Sequence, residues 1–240
     1  MKIYGDMHTH TIASTHAYST ILENCQWAEK YGLKGIAMTD HAMKMADAPH
    51  IWHFENLCVL PRKISNVTVL KGIEADIMND DGELDVSENL MNGLEWIVAS
   101  MHSYCYKPTT VEGHTNAYLK ICRIPQIDVI GHCTTSTFPF DYEKGVKAFK
   151  EYGKIVEINE SSMVCHRSPK ENVVELVKLC KKYEVPVVID SDSHYCEKIG
   201  QVSNTLQIAE ELGLPEKLIV NSDWEKVREY VLKKRPELDI

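Results

Sequence analysis

The chain begins with KIYGDMHTH at residues 2–10, a short apolar run that passes directly into two histidines. Comparable β-branched and apolar runs recur at intervals of roughly 30 residues, the spacing that a strand–helix unit requires. We predict seven strands from them, near residues 2–7, 34–39, 67–73, 95–101, 127–131, 154–159 and 185–190. A late run at 218–221 is a candidate for an eighth, short strand.

Stretches of helical periodicity lie between these runs. Thr20 and Glu23 have the spacing of a capping box, and Gly32 is placed to end the helix that they begin. Helices are predicted near residues 20–31, 53–63, 112–122, 143–152, 170–183, 203–212 and 223–234. Alternating strands and helices favour a parallel sheet, and for 240 residues closure into an α/β TIM-like barrel is the simplest architecture. We therefore expect a single domain that spans residues 1–240.

The composition is that of a globular protein with an acidic surface. Apolar residues make up 44% of the chain, which is enough to form a buried core, and charged residues make up 25%. The net charge of -9 disfavours extended nucleic-acid binding, which depends on clustered Lys and Arg. No apolar run approaches the roughly 18 residues of a membrane span, and the N-terminus has no apolar signal region. We expect a cytoplasmic protein that binds no membrane, and a homo-oligomer is compatible with this composition.

Six of the seven predicted strands carry a metal-capable side chain at their carboxyl end. In a parallel barrel these ends meet at one mouth, so that residues far apart in sequence become neighbours. Alternate residues of a strand share a face. His8 and His10 are therefore expected to point to the same side, and so are Asp192 and His194. The side chains that these rules bring together are His8, His10, His41, Glu74, His102, His132, Asp192 and His194.

Each of these residues alone is weak evidence for a metal site. Among 11 His in 240 residues, an H-x-H motif arises by chance about once in every two such chains. A lone histidine at a strand end is more often a hydrogen-bonded rim residue than a ligand. Their joint placement favours zinc, manganese or iron, and the number of candidates exceeds the four ligands that one zinc ion takes. Several adjacent metal ions usually serve the hydrolysis of a phosphate ester or an amide.

Three motifs resemble the signature of the polymerase and histidinol phosphatase (PHP) superfamily: HTH at residues 8–10, TDH at 39–41 and DSH at 192–194. The segments HTHTIASTHAYS at 8–19 and DAPHIWHF at 47–54 are similar to its stand-alone bacterial phosphatase branch. The resemblance runs from residue 6 to about residue 196 and implies a distorted seven-stranded (βα)7 barrel with a trinuclear site. The chain departs from the family pattern near the substrate mouth, where it reads HCT at 132–134 and also differs at 103–108.

The resemblance implies nine ligands for three divalent metal ions, with zinc favoured over manganese and iron. The first ion would be bound by His8, His10, Glu74 and Asp192. The second would share Glu74 with the first and would also be bound by His102 and His132. The third would be bound by His16, His41 and His194.

The activity that follows is hydrolysis of a small-molecule phosphate monoester by a hydroxide that bridges two metal ions. Glu74 and Asp192 would act through these ions. Arginine has the planar shape that holds phosphate with two hydrogen bonds, and Arg62 and Arg167 both stand in loop-like or helix-terminal segments. We expect these two arginines to bind the phosphate group of the substrate.

Other polar residues are candidates for supporting roles. His50, His53 and His166 could protonate the leaving group, and Asp6 and Asp40 could orient the ligand imidazoles. A histidinol-phosphate phosphatase is the alternative with the same chemistry, and a polymerase-associated exonuclease is disfavoured by the acidic surface. An amidohydrolase, or a module that binds metal without catalysis, remains the alternative of a different class.

Overall fold

The fold is described by a computed structural model that covers Met1–Ile240. The strands are β1 (Gly5–Thr9), β2 (Gly35–Met38), β3 (Lys63–Ile64), β4 (Val67–Asp76), β5 (Trp96–Ser100), β6 (Val129–Ile130), β7 (Ile155–Asn159) and β8 (Val187–Asp190). Seven of them pair in parallel in the order β1-β2-β4-β5-β6-β7-β8, and β3 pairs antiparallel with β4 at its edge. This nearly closed barrel confirms the predicted α/β, seven-stranded architecture. The run at 218–221 is not a strand but two short 3-10 turns with an isolated bridge to β8.

Helices connect successive strands and cover the outside of the barrel. They are α1 (Ile21–Lys30), α2 (Ile51–Glu55), α3 (Glu88–Asn92), α4 (Val111–Ile121), α5 (Tyr142–Glu151), α6 (Glu160–Val164), α7 (Lys170–Tyr183), α8 (Ser203–Glu211) and α9 (Trp224–Lys234). Thr20 and Glu23 form the predicted capping box of α1. The helix predicted near 53–63 is shorter, because Pro61 forces Leu60 into an extended conformation and ends the 3-10 turn that follows α2. No helix combines the length and the apolar character needed to cross a bilayer.

Apolar side chains fill the barrel at its amino end. The interior cluster consists of Met7, Ala37, Leu70, Trp96, Val98, Val129, Ile155 and Val188 from the strands, with Val220 and with Val227 and Val231 of α9. Trp224 of α9 lies so close to Gly35 that a Cβ atom there would be 2.1 Å from its ring. Arg235, which follows α9, donates to the buried Asp128 at 2.9 Å. The amino end is therefore closed by packing, and the polar side chains gather at the carboxyl end.

The barrel has one seam, between β1 and β8, where no regular ladder of hydrogen bonds forms. The buried side chain of Asn221 spans this seam. Its Nδ2 donates to the carbonyl oxygens of Gly5 at 2.9 Å and Ile189 at 2.8 Å, and its Oδ1 accepts from the Ile189 amide at 3.1 Å. Nearer the carboxyl end, the amide of His10 donates to the carbonyl of Ser193. One amide side chain thus replaces much of the missing ladder.

Replacing Asn221 by Ala is expected to lower the free energy of unfolding by about 3 kcal/mol. The change leaves buried backbone groups of Gly5 and Ile189 without partners, in addition to opening a small void. Urea denaturation measures the loss. Asn89→Ala, at an exposed position of α3, is the matched control and is expected to shift stability by less than about 0.5 kcal/mol. Equal stability of the two variants would show that the seam does not depend on Asn221.

Candidate metal centre

A cavity of about 800 Å³ opens at the carboxyl end of the barrel. Six of the nine predicted ligands line it, namely His16, His41, His102, His132, Asp192 and His194. The other three, His8, His10 and Glu74, lie behind them with at most 1% of their surface exposed. The strands therefore bring all nine side chains to one end of the barrel, as the sequence predicts.

The carboxylate of Glu74 stands at the centre of this group. Its Oε2 atom is 2.8 Å from Nδ1 of His41 and 3.4 Å from Nε2 of His8. Its Oε1 atom is 2.9 Å from Nε2 of His132 and 3.5 Å from Nε2 of His102. Nε2 of His10 is 3.6 Å from Oε2, so that five imidazoles delivered by four different strands surround a single carboxylate.

Asp192 forms a second anionic point beside Glu74. Its Oδ1 atom is 3.2 Å from Nε2 of His10 and 3.8 Å from Nε2 of His8. The backbone of Asp192 has a φ of 51°, a left-handed conformation that is uncommon outside glycine and recurs at functional sites. Nearer the cavity mouth, Nε2 of His194 lies 2.9 Å from Nε2 of His16.

Three carboxylates outside the predicted set hold the outer nitrogens of ligand imidazoles. Because an ionised carboxylate can only accept a hydrogen bond, each Nδ1 carries the proton. In the neutral ring the lone pair on Nε2 then faces the centre, which is the arrangement found around bound metals. The three pairs are His8 with Glu157 at 2.7 Å, His102 with Asp76 at 2.6 Å and His16 with Asp47 at 2.5 Å.

Glu157 holds two parts of the centre at once. One oxygen accepts from Nδ1 of His8, and the other accepts from the backbone amide of His132 at 2.6 Å. Glu157 lies on β7, the one parallel strand of the barrel without a predicted ligand. The signal was present in the sequence, because Glu157 is a charge within a buried strand, two residues after the interior residue Ile155.

Several buried nitrogen and oxygen atoms of the centre have no hydrogen-bond partner. They are Nδ1 of His10 and both ring nitrogens of His41, together with Oε2 of Glu74, which lies 2.8 Å from Nδ1 of His41 without the alignment of a hydrogen bond. Buried polar atoms in native proteins are normally paired, and a shared cation would satisfy these ring nitrogens and the carboxylate oxygen together. The lone pairs of His8 Nε2 and Glu74 Oε2 also repel each other unless a positive charge lies between them. The centre therefore fits a divalent metal ion with imidazole and carboxylate ligands.

Three triads of possible ligand atoms lie close enough to share an ion. They are His8, His10 and Glu74; His41, Glu74 and His102; and His10, His41 and His194. The first triad contains three of the four ligands implied for the first ion. In the second triad His41 takes the place of His132, and in the third His10 takes the place of His16.

The charges of the centre suit metal binding at neutral pH. Burial opposes ionisation of Glu74, but His8, His102 and His41 outweigh it and hold the pKa of this carboxyl well below its usual value. Burial likewise opposes ionisation of Asp192, and the neighbouring imidazoles hold its pKa well below the usual value. Burial lowers the pKa of His10 to about 3, and His41 and His194 act in the same direction. The carboxylates are thus ionised and His10 is neutral, the forms in which both bind metal. Burial opposes protonation of His8 and His41, but the neighbouring carboxylates outweigh it and raise the pKa of both rings, so that a bound metal ion would displace these protons.

The sequence model of the PHP domain family matches residues 6–233 of the chain. The chain belongs to the PHP domain family. A protein of Thermoanaerobacter sp. named probable phosphatase is 42% identical over 240 residues, which cover 99% of this chain and 98% of that protein. A probable phosphatase of Clostridium novyi is 42% identical over 235 residues, covering 98% and 96%.

The fold of this PHP domain also resembles a solved structure. Histidinol phosphate phosphatase from Lactococcus lactis, complexed with zinc, L-histidinol and phosphate, superposes with a TM-score of 0.61. The match covers 90% of this chain and 95% of that protein at 12% sequence identity, so that it supports the shared fold alone. The family resemblance inferred from the three sequence motifs is confirmed.

The two arginines that were expected to bind phosphate occupy opposite ends of the PHP domain. Arg167 lines the cavity, with Nη2 3.6 Å from Oδ2 of Asp192. Arg62 forms a two-pronged ion pair with Glu95 at 2.6 and 2.8 Å and donates to the carbonyl of Val69. These partners lie at the amino ends of β4 and β5, remote from the cavity. The expectation that Arg62 binds phosphate is therefore wrong.

The candidates for supporting roles in this PHP domain separate in the same way. His166 lines the cavity, whereas His50 caps the start of α2 outside it. His53 is directed to Asp40, with Nε2 3.2 Å from the carboxylate. Asp6 accepts hydrogen bonds from the loop after β8. Neither Asp6 nor Asp40 makes a hydrogen bond to an imidazole of the centre; the carboxylates outside the predicted set that do so are Glu157, Asp76 and Asp47.

Proposed function

We propose that this PHP domain hydrolyses small-molecule phosphate monoesters at a cluster of three divalent ions, with zinc the first choice. The observation that carries the proposal is the convergence of ligand atoms around Glu74 and Asp192 at the base of an open cavity. Relatives over almost the whole chain are named probable phosphatase, which supports the same reaction class.

The ions would be held by the nine residues that the family resemblance implies, which are His8, His10, His16, His41, Glu74, His102, His132, Asp192 and His194. Bound ions would supply a water of lowered pKa as the nucleophile, together with positive charge for the phosphate oxygens. Glu74 and Asp192 would contribute the negative charge that retains several cations in one place. Glu157, Asp76 and Asp47 would fix three of the rings with their lone pairs inward.

Arg167 is the residue proposed to hold the phosphate group. Its side chain is 48% exposed, and its guanidinium remains 3.6 Å from the nearest carboxylate oxygen. Nη2 also donates to the hydroxyl of Ser161 at 3.4 Å, whereas Nη1 and Nε make no hydrogen bond within the protein. These two groups would donate to a phosphate that enters the cavity. A histidinol-phosphate phosphatase would use the same centre, and it differs in the amino group and the imidazole that its leaving group carries.

Chelation tests the proposed function directly. Protein purified without metal depletion is expected to contain close to three zinc equivalents by elemental analysis and to release phosphate from p-nitrophenyl phosphate. A chelator should abolish release, and added zinc should restore it. An amidohydrolase binds at most two ions and a structural module would not turn over. At most two bound ions, or hydrolysis that survives chelation, would therefore contradict the proposal.

Replacing Arg167 by Ala is expected to lower kcat/KM for p-nitrophenyl phosphate by about 10- to 100-fold, because charge-assisted hydrogen bonds to the phosphate are lost. Steady-state kinetics measures the change, and elemental analysis checks that the metal content is retained. Arg62→Ala is the matched control, since it removes the same side chain from the other end of the barrel. It should lower thermal stability and leave kcat/KM unchanged. Equal losses of activity in the two variants would show that Arg167 does not bind the phosphate group.

A further inference from the structure

The cavity wall outside the nine proposed ligands is poor in negative charge. Its acidic and basic side chains are Asp47, His166 and Arg167. The only carboxylate of the three is already engaged, because Oδ2 of Asp47 accepts from Nδ1 of His16 at 2.5 Å and from the His16 amide at 3.0 Å. The hydroxyl of Thr15 donates to the same oxygen at 3.2 Å. A positively charged group that enters the cavity would therefore find a single uncommitted carboxylate oxygen outside the proposed ligands, Oδ1 of Asp47.

The basic side of the wall is held in a defined position. His166 follows α6 with a φ of 57°, so that the chain turns sharply into Arg167. The amide of Arg167 donates to the carbonyl of Ser162 at 2.8 Å, and its carbonyl accepts from the amide of Ser136 at 3.0 Å. These bonds fix two consecutive basic side chains against the loop that follows β6. A left-handed histidine costs conformational energy, which the surrounding hydrogen bonds must offset.

Hydroxyl groups supply most of the remaining polar surface of the wall. Ser103, Thr135 and Thr137 line the cavity, and none of their side chains makes a hydrogen bond within the protein. A hydroxyl can donate as well as accept, so that these groups suit either a hydroxylated or an anionic partner. The apolar contribution comes from Met45, Met101 and Phe138, which can contact the carbon skeleton of a substrate.

We infer that the substrates of this phosphatase carry an anionic or hydroxyl-bearing leaving group and that leaving groups with an ammonium are discriminated against. The inference rests on the proposed function and adds the substrate class. An ammonium placed in the cavity would lose its hydration beside Arg167 and would gain at most one carboxylate oxygen, Oδ1 of Asp47, in return. A carboxylate or second phosphate would gain hydrogen bonds from His166 and from the free hydroxyls.

Three aryl phosphates with the same phenol test the inference on the metal-replete protein. The phosphates of phloretate, tyrosol and tyramine end in a carboxylate, a hydroxyl and an ammonium respectively. We expect kcat/KM to fall in that order, with phloretate phosphate favoured over tyramine phosphate by about tenfold or more. If their turnover is slow, the same order is read from their inhibition of p-nitrophenyl phosphate hydrolysis. Tyramine phosphate equal to or better than phloretate phosphate would overturn the inference.

A substitution in the wall provides the positive test. Thr137→Asp places a carboxylate at an exposed position of the cavity and is expected to shift the preference toward tyramine phosphate by about tenfold. Asn89→Asp adds the same charge on α3, outside the cavity, and should leave the preference unchanged. A shift of equal size in both variants would also count against the inference. If none of these esters nor p-nitrophenyl phosphate is hydrolysed, the proposed function itself has failed, which is a different result.

Discussion

The variant Glu74→Gln is expected to lose at least about a thousandfold in kcat/KM for an aryl phosphate, together with most of its bound metal. Both oxygens of Glu74 face imidazole nitrogens, with His41 and His132 within 3 Å. A glutamine of the same shape removes the negative charge and directs an amide N–H group toward nitrogens whose lone pairs bind metal. Steady-state kinetics and elemental analysis of the purified variant measure the two effects.

Glu95→Gln is the matched control for this variant. Glu95 is also buried, but it pairs with Arg62 at the amino end of the barrel. Its substitution should lower thermal stability while metal content and kcat/KM remain those of the parent protein. A Glu74→Gln protein that keeps its full metal content and more than about a tenth of the activity would refute the central role assigned to Glu74.

Glu157→Gln is expected to weaken metal binding by about 10- to 100-fold without removing any ligand. An amide has one acceptor oxygen, whereas the carboxylate of Glu157 accepts from both Nδ1 of His8 and the amide of His132. One of the two donors must therefore lose its partner, and the ring of His8 or the loop of His132 is released. Competition with a chelator of known zinc affinity measures the change. The proton NMR signal of the His8 Nδ1–H group provides a readout that is independent of activity.

Glu160→Gln distinguishes this effect from a general loss of stability. Glu160 is a buried carboxylate three positions along the chain that accepts from the amide and hydroxyl of Thr205, and it thereby caps the start of α8. Its substitution should destabilise the protein and leave zinc affinity as it was. If Glu157→Gln binds zinc as tightly as Glu160→Gln does, Glu157 has no positioning role.

Most of the metal centre was predictable because the strands of the barrel alternate regularly. Residues of the apolar interior are followed, four positions later and therefore on the same face, by polar residues of the centre. The pairs are Ala37 with His41, Leu70 with Glu74, Val98 with His102 and Val188 with Asp192. Glu157 lies two positions after Ile155, and the same alternation places it on the interior face. This carboxylate could therefore have been identified from the sequence.

Two ligands depart from that alternation for reasons that the sequence does not reveal. Met7 and His8 are consecutive, yet both face the interior, because the pairing of β1 with β2 is irregular between Asp6 and Thr9. An irregularity of this kind redirects a side chain that regular pleating would turn outward. His132 lies three positions after Val129 and reaches the centre through a backbone φ of 20°. Both features are local backbone choices that depend on the folded surroundings.

The error over Arg62 has a topological cause. Arg62 belongs to the segment that precedes β3 and β4, and connections that lead into a parallel strand lie at its amino end. Arg167 instead follows β7 and α6, in a connection that leaves the carboxyl end. Residue type alone could not separate the two arginines, but their order relative to the strands could have done so.

The seam between β1 and β8 links occupancy of the centre to the lifetime of the protein. Asn221 fastens the two strands near one end, and His10 and Asp192 meet 3.2 Å apart near the other. Ions bound by both residues would stabilise the seam at its carboxyl end. In the metal-free protein, local unfolding would begin at this seam. Amide protons of β1 and β8 would then exchange ahead of those in β4 and β5. Loss of the proposed ions would in this way expose the polypeptide to proteolysis as well as abolish its activity.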